Sequence, residues 1–168
     1  MTRLTLLTAA LVQVSVGCLW AQPGPAPWFS NQRVLDLTGD GRPDTVRLVA
    51  EGPSYDSLRI TLLFIVDGRE RWREKWTSAW FRVEPFPDSM SQTARAAAIR
   101  ARLEATLSSV KVEPFDVNAY KGMAGMADSA LLHHPPAEQI GFEYGYESHV
   151  VLRWDAAAGV FRRLWGCC

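Results

Sequence analysis

Residues 58–66 place Leu58, Ile60, Leu62, Phe64 and Val66 at every second position. Side chains on a strand point to opposite faces in turn, so this segment must bury one face and leave the other free. Asp67-Gly68 follows and predicts a hairpin. Two loop lengths are open to it. A two-residue loop pairs Val66 with Arg69 and puts Arg71, Arg73 and Lys75 among the aliphatics. A three-residue loop of Val66-Asp67-Gly68, with Gly68 left-handed and a bulge after it, pairs Phe64 with Glu70 and Leu62 with Trp72. The second sets Trp72, Trp76 and Trp80 with the aliphatic row, and it is the register expected here. A helix would tolerate the same tryptophan spacing, and the Asp-Gly turn decides for a strand.

Other segments read in the same way. "WFSNQRVLDL" and "DTVRLVA" are short strands on either side of an aspartate-rich loop, and "EGPSYDS" is a turn. Near the end, Phe142, Tyr144, Tyr146, Val150, Leu152 and Trp154 share one face, "DAAAG" turns the chain, and "VFRRLW" returns as a last strand. One segment is clearly helical. In "PFPDSMSQTARAAAIRARLEATLSSV", Ser89 or Ser91 can cap the start. Ala96, Ile99, Leu103, Leu107 and Val110 form its buried stripe. The region from Lys111 to Gln139 is the least regular, with a second short helix expected through "ADSALLH". The expected fold is α+β: a twisted antiparallel sheet of about five or six strands with one main helix packed on one face.

The N-terminal residues read as a targeting signal. Arg3 precedes an apolar stretch over residues 4–16, too short for a membrane span. Ser15-Val16-Gly17 before Cys18 resembles a bacterial lipobox, with Ser15 where leucine is usual, and implies a lipid on Cys18. The rival cleavage point follows Ala21. Residues 1–21 are therefore expected to be a signal peptide, 22–27 a proline-rich linker, and 28–168 a single domain. Export to the periplasm or beyond permits disulfides and supplies calcium. Lys+Arg and Asp+Glu are both 18. That balance argues against nucleic acid as a partner, and leaves a membrane reachable only through a lipid on Cys18. A protein or glycan is the partner class that remains.

Chemistry concentrates in "VLDLTGDGRPDTVRL", residues 34–48. Asp36, Thr38, Asp40, Arg42 and Asp44 fall at positions one, three, five, seven and nine of the loop, and Gly41 at six allows a sharp turn. A hard cation takes six to eight oxygens, which such a loop supplies from alternate side chains. Position seven would contribute its carbonyl, leaving the Arg42 side chain outside. An EF-hand is excluded, because position twelve is Arg47 rather than a bidentate glutamate and helices do not flank the loop. The stretch D-L-T-G-D-G-R-P-D-T-V instead resembles the calcium loop of FG-GAP and VCBS-type repeats, D-x-[DN]-x-D-G-x-x-D. It covers about fifteen residues in a single copy, and Thr38 departs from the usual Asp or Asn. The resemblance implies one structural Ca²⁺ site of extracellular type, with an affinity on the order of 10⁻⁴ M or weaker. The rival reading is a polar turn with no ion, since Gly39, Asp40, Gly41 and Pro43 all favour turns.

Three further features carry weaker signals. His133, His134 and His149 with Cys167 or Cys168 match no zinc spacing, because Pro135-Pro136 holds His133-His134 in an extended loop. A hydrolase using His133 and His134 with Asp128 or Glu147 is the enzymatic alternative, without a nucleophile motif. Cys167-Cys168 can form a vicinal or intermolecular disulfide, or neither. The tryptophan row is core if covered, and a carbohydrate- or peptide-binding surface of an inhibitor-like protein if exposed. The expected function is an exported, non-enzymatic binding or structural domain held by one calcium ion.

Overall fold

The computed structural model describes residues 27–81, 86–116, 137–144 and 148–167. The described strands form two four-stranded antiparallel sheets, each with its strands in chain order. The first contains β1 (Phe29–Leu35), β2 (Asp44–Glu51), β3 (Arg59–Val66) and β4 (Arg69–Thr77). The second contains β5 (Lys111–Pro114), β6 (Glu138–Tyr144), β7 (Ser148–Asp155) and β8 (Val160–Cys167). Helix α1 (Gln92–Ser109) links them in the chain.

The single sheet of five or six strands expected from the sequence does not form, and the fold is mostly β. The reason lies in the amount of apolar surface to be covered. On the first sheet Val46, Leu48, Ala50, Ile60, Leu62 and Phe64 are all completely buried. The helix offers only Ile99, Leu103 and Leu107, with Val110 just beyond its end. That stripe is too narrow to shield four strands, so the second sheet supplies the rest. The register Phe142↔Val150 and Ile140↔Leu152 gives it a matching apolar face. Phe64 meets Phe161 edge-on at 5.3 Å between ring centres and Phe142 at 6.1 Å. Trp76 stacks on Tyr144 at 4.6 Å. Both sheets and the helix share one core. The sheets approach each other where β4 meets β8, and α1 packs on β1, β2 and β6. An ion pair from Glu74 to Arg163 ties β4 to β8.

The β3–β4 hairpin also departs from the expected register. Asp67 and Gly68, at φ 51° and 72°, form the two-residue turn, and Val66 pairs with Arg69. The ladder then shifts between Ile65 and Phe64: Ile65 pairs with Glu70, but Phe64 pairs with Trp72. Arg71 is thus the extra residue of a β-bulge. The bulge restores the parity that a two-residue loop would break. Trp72 and Trp76 join the core, and Arg73 and Lys75 face outward. Burial of the tryptophans, rather than loop length, selects this arrangement.

The helix begins where capping chemistry places it. Ser91 is the N-cap, and its Oγ accepts a hydrogen bond from the Ala94 N–H at 3.2 Å. Its far end is held by β1. Arg33 Nη1 donates to the carbonyls of Leu107, Ser108 and Val110 at 3.0, 2.8 and 3.0 Å. Those are the carbonyls a helix end leaves unpaired, and the cation opposes their partial negative charge. Ser109 adds a link to β6, accepting from the Glu143 N–H at 2.9 Å. Among the described residues no helix is long and apolar enough to cross a membrane.

Candidate functional site

The aspartate loop joins β1 to β2 at the end of the first sheet. Leu35↔Asp44 is the last pair of that ladder, so the two strands hold the loop at both ends. Leu37 is 3% exposed and anchors it in the core. Gly39 and Gly41 take φ of 71° and 81°, which only glycine adopts without strain.

Each carboxylate finds donors within the protein. Asp36 accepts from the N–H groups of Gly39 at 2.8 Å, Asp40 at 3.2 Å and Gly41 at 2.8 Å. Asp40 accepts from the Arg42 N–H at 2.9 Å and from its Nε at 2.8 Å. Arg42 also reaches Asp67 in the β3–β4 turn at 3.1 Å. The Arg42 side chain therefore folds back over the loop rather than pointing away. Asp44 is buried, and its Oδ2 accepts from the Leu37 N–H at 3.0 Å and from Thr38 Oγ1 at 3.4 Å.

The electrostatics separate these groups. Hydrogen bonds from Arg42 hold the Asp40 carboxyl below its ordinary range. Asp44 goes the other way: burial raises its pKa most, and the Asp40 and Asp36 charges raise it further, against the Leu37 N–H. Of the five residues expected to act together, the structure brings Thr38 and Asp44 into contact and pairs Asp40 with Arg42. It does not gather the carboxylates into a ready ligand shell. Among the described residues no three His, Cys, Asp or Glu side chains are grouped to hold a metal ion. The donor set still suits a hard cation. Carboxylate oxygens engaged by N–H groups keep a second lone pair, and the Asp40–Arg42 pair is exposed and therefore weakly held. Binding would need that guanidinium to swing aside and the three carboxylates to turn toward a common centre.

Sequence reasoning missed Glu138. A Cβ on Gly39 would come within 2.9 Å of Glu138 Oε2, so β6 of the second sheet presses directly on the loop. Nothing in the sequence around Glu138 marks it, because the contact depends on how the two sheets meet.

The other candidates fall out differently. Trp76 is buried and Trp72 half-buried in the core, which settles their packing, while the Trp80 side chain lies outside the description. His149 lies against Gly141 and 5.8 Å from the Trp165 ring, with Cys167 as its backbone neighbour on β8. His133, His134, Asp128, Glu147, Tyr146 and Cys168, together with the signal segment and Cys18, lie outside the described residues, as does the "ADSALLH" segment. Comparison with protein-family models, curated proteins and solved structures gives no match.

Proposed function

We propose that the protein is an exported, non-catalytic module of the cell envelope whose aspartate loop takes up one calcium ion as a structural fastener. The carrying observation is Asp44. It is a buried carboxylate whose pKa is raised by burial and by the neighbouring charges of Asp40 and Asp36. Such a group destabilises the fold while it is ionised, and a divalent cation beside it reverses that effect. The carboxylates of Asp36, Asp40 and Asp44, the Thr38 hydroxyl and the Arg42 carbonyl would hold the ion. Export is supported by Arg3 and the apolar stretch that follows it. A fastener at this place makes physical sense, because the loop lies against β6 and so bridges the two sheets.

The test is thermal unfolding of the mature protein in millimolar CaCl₂ and in EDTA. Calcium should raise the wild-type Tm saturably. For an affinity near 10⁻⁴ M, tenfold excess stabilises by about 1.4 kcal/mol, or a few degrees. Asp40→Ala should lose that rise. Identical Tm values for the wild type with and without calcium would leave the loop as a hydrogen-bonded turn.

A further inference from the structure

We infer that the outer face of the first sheet binds an acidic glycan, a sugar chain carrying carboxylates, in a cleft centred on Arg59 and Lys75. The ladder fixes which side chains share that face. Glu51, Arg59 and Thr77 stand side by side in one row, and Val49, Thr61 and Lys75 in the next. Arg47, Leu63 and Arg73 make the third. The helix and the second sheet both pack on the opposite face, where Ile60, Leu62 and Phe64 are buried. The cleft encloses about 480 Å³ and is open to solvent. Arg59, Arg73, Lys75 and Glu51 line it, and all four are exposed.

Positive charge collects here with little to answer it. Residues two apart on a strand are separated by about 6.6 Å, so Arg73 and Lys75 are close neighbours, and Arg59 sits on the diagonal from Lys75. Arg73 has Glu70 as an ion-pair partner. Among the described residues Arg59 and Lys75 have none, and Glu51 makes no ion pair with Arg59 although the register sets them opposite each other. Like charges so placed repel, and an anion between them removes the repulsion. Arg47 carries the positive charge further, on the far side of Leu63 from Arg73. The face therefore suits a chain with repeated charges rather than a single small ion. Glu51 narrows the class. A carboxylate on the rim repels a ligand made of anions alone, but it accepts hydrogen bonds from hydroxyl groups. A sugar acid supplies both, a carboxylate for Arg59 and Lys75 and hydroxyls for Glu51. The Trp76 indole is buried on the opposite face, so charge and hydroxyl pairing, rather than ring stacking, carry the recognition.

Calorimetric titration of the full mature chain with hexagalacturonate, in EDTA and at low salt, tests this independently of the metal. The expected result is saturable binding that weakens as salt is added. Maltohexaose, which has the hydroxyls without the carboxylates, should give no saturable heat. Hexaglutamate, which has the carboxylates without the hydroxyls, should bind about tenfold more weakly. Arg59→Gln and Lys75→Gln should each weaken hexagalacturonate about threefold, and the two together about tenfold. Glu51→Ala separates the two kinds of attraction by sign. It should weaken hexagalacturonate by removing the hydroxyl acceptor, whereas plain charge attraction would grow stronger on loss of an anion. Four results would overturn the inference: no saturable binding of hexagalacturonate, comparable binding of maltohexaose, equal or tighter binding of hexaglutamate, or tighter hexagalacturonate binding by Glu51→Ala. The ligand panel decides the matter on the wild type even where a variant does not fold.

Discussion

At the scale of single residues, Asp44 is the clearest lever. Its folded pKa lies above the ordinary carboxylate value of 3.8. It therefore adds stability that is full below that value and is lost as pH rises through the raised pKa. Asp40 and Asp155, whose pKa values are lowered by Arg42 and Arg162, contribute in the opposite sense. Their contribution is present above 3.8 and disappears as pH falls through their folded values. In EDTA, Asp44→Asn should accordingly be at least as stable as the wild type at pH 7 and less stable relative to it near pH 4, as read by urea unfolding. A clear loss at pH 7 would mean that the ionised carboxylate is already compensated by the Leu37 and Thr38 donors. Gly39→Ala should destabilise by about 1 kcal/mol or more, from the left-handed backbone and the crowding of Glu138. The aspartates themselves were legible in the sequence through spacing and turn chemistry. Their partners were not. Glu138 arrives from a strand a hundred residues away in the chain, and Arg42 is as plausible pointing out as folding back.

At the scale of elements, local chemistry was readable and register was not. The strands flanking the aspartate loop, the Asp-Gly hairpin, the final turn and the helix all follow from periodicity and punctuation. Ser91 was one of two named caps, and replacing it with alanine should cost about 1 kcal/mol. The hairpin shows where such reading stops. Parity alone could not tell a three-residue loop from a two-residue loop followed by a bulge, because both return the tryptophans to the core. Only the bulge leaves the two-residue Asp67-Gly68 turn in place, with both residues left-handed as such a hairpin turn requires. Arg71 is supernumerary in the ladder, so its deletion should keep Trp72 opposite Phe64 and leave the protein folded. Deleting Trp72 instead should disrupt it. Near-ultraviolet circular dichroism, which reports tryptophan packing, distinguishes the two. A loss of signal in the Arg71 deletion would show that the bulge itself is required.

For the whole molecule, the correction from one sheet to two follows from counting apolar faces rather than strands. The β2–β3 and β6–β7 faces are each too large for one helix and are complementary to each other. The sequence shows both faces as alternating runs, but it carries no signal for whether they join edge to edge or stack. Phe64, with rings of both sheets around it, is where that packing is decided. Phe64→Ala should cost about 3–5 kcal/mol, near the upper end for a core truncation, and one cooperative unfolding transition should be seen by both near- and far-ultraviolet probes. Two separated transitions would mean that the sheets fold as independent units. In the proposed function, the loop matters because it sits at this junction, with its backbone against β6. The most direct measurement is a calcium titration of the ¹⁵N-labelled mature protein followed by amide NMR. Saturable, concerted shifts of Gly39, Asp40 and Gly41, with Glu138 moving in step and Asp44→Asn abolishing the response, are predicted. Loop amides that stay in place up to millimolar calcium would contradict the proposal and leave the three aspartates as partners of their own backbone and Arg42.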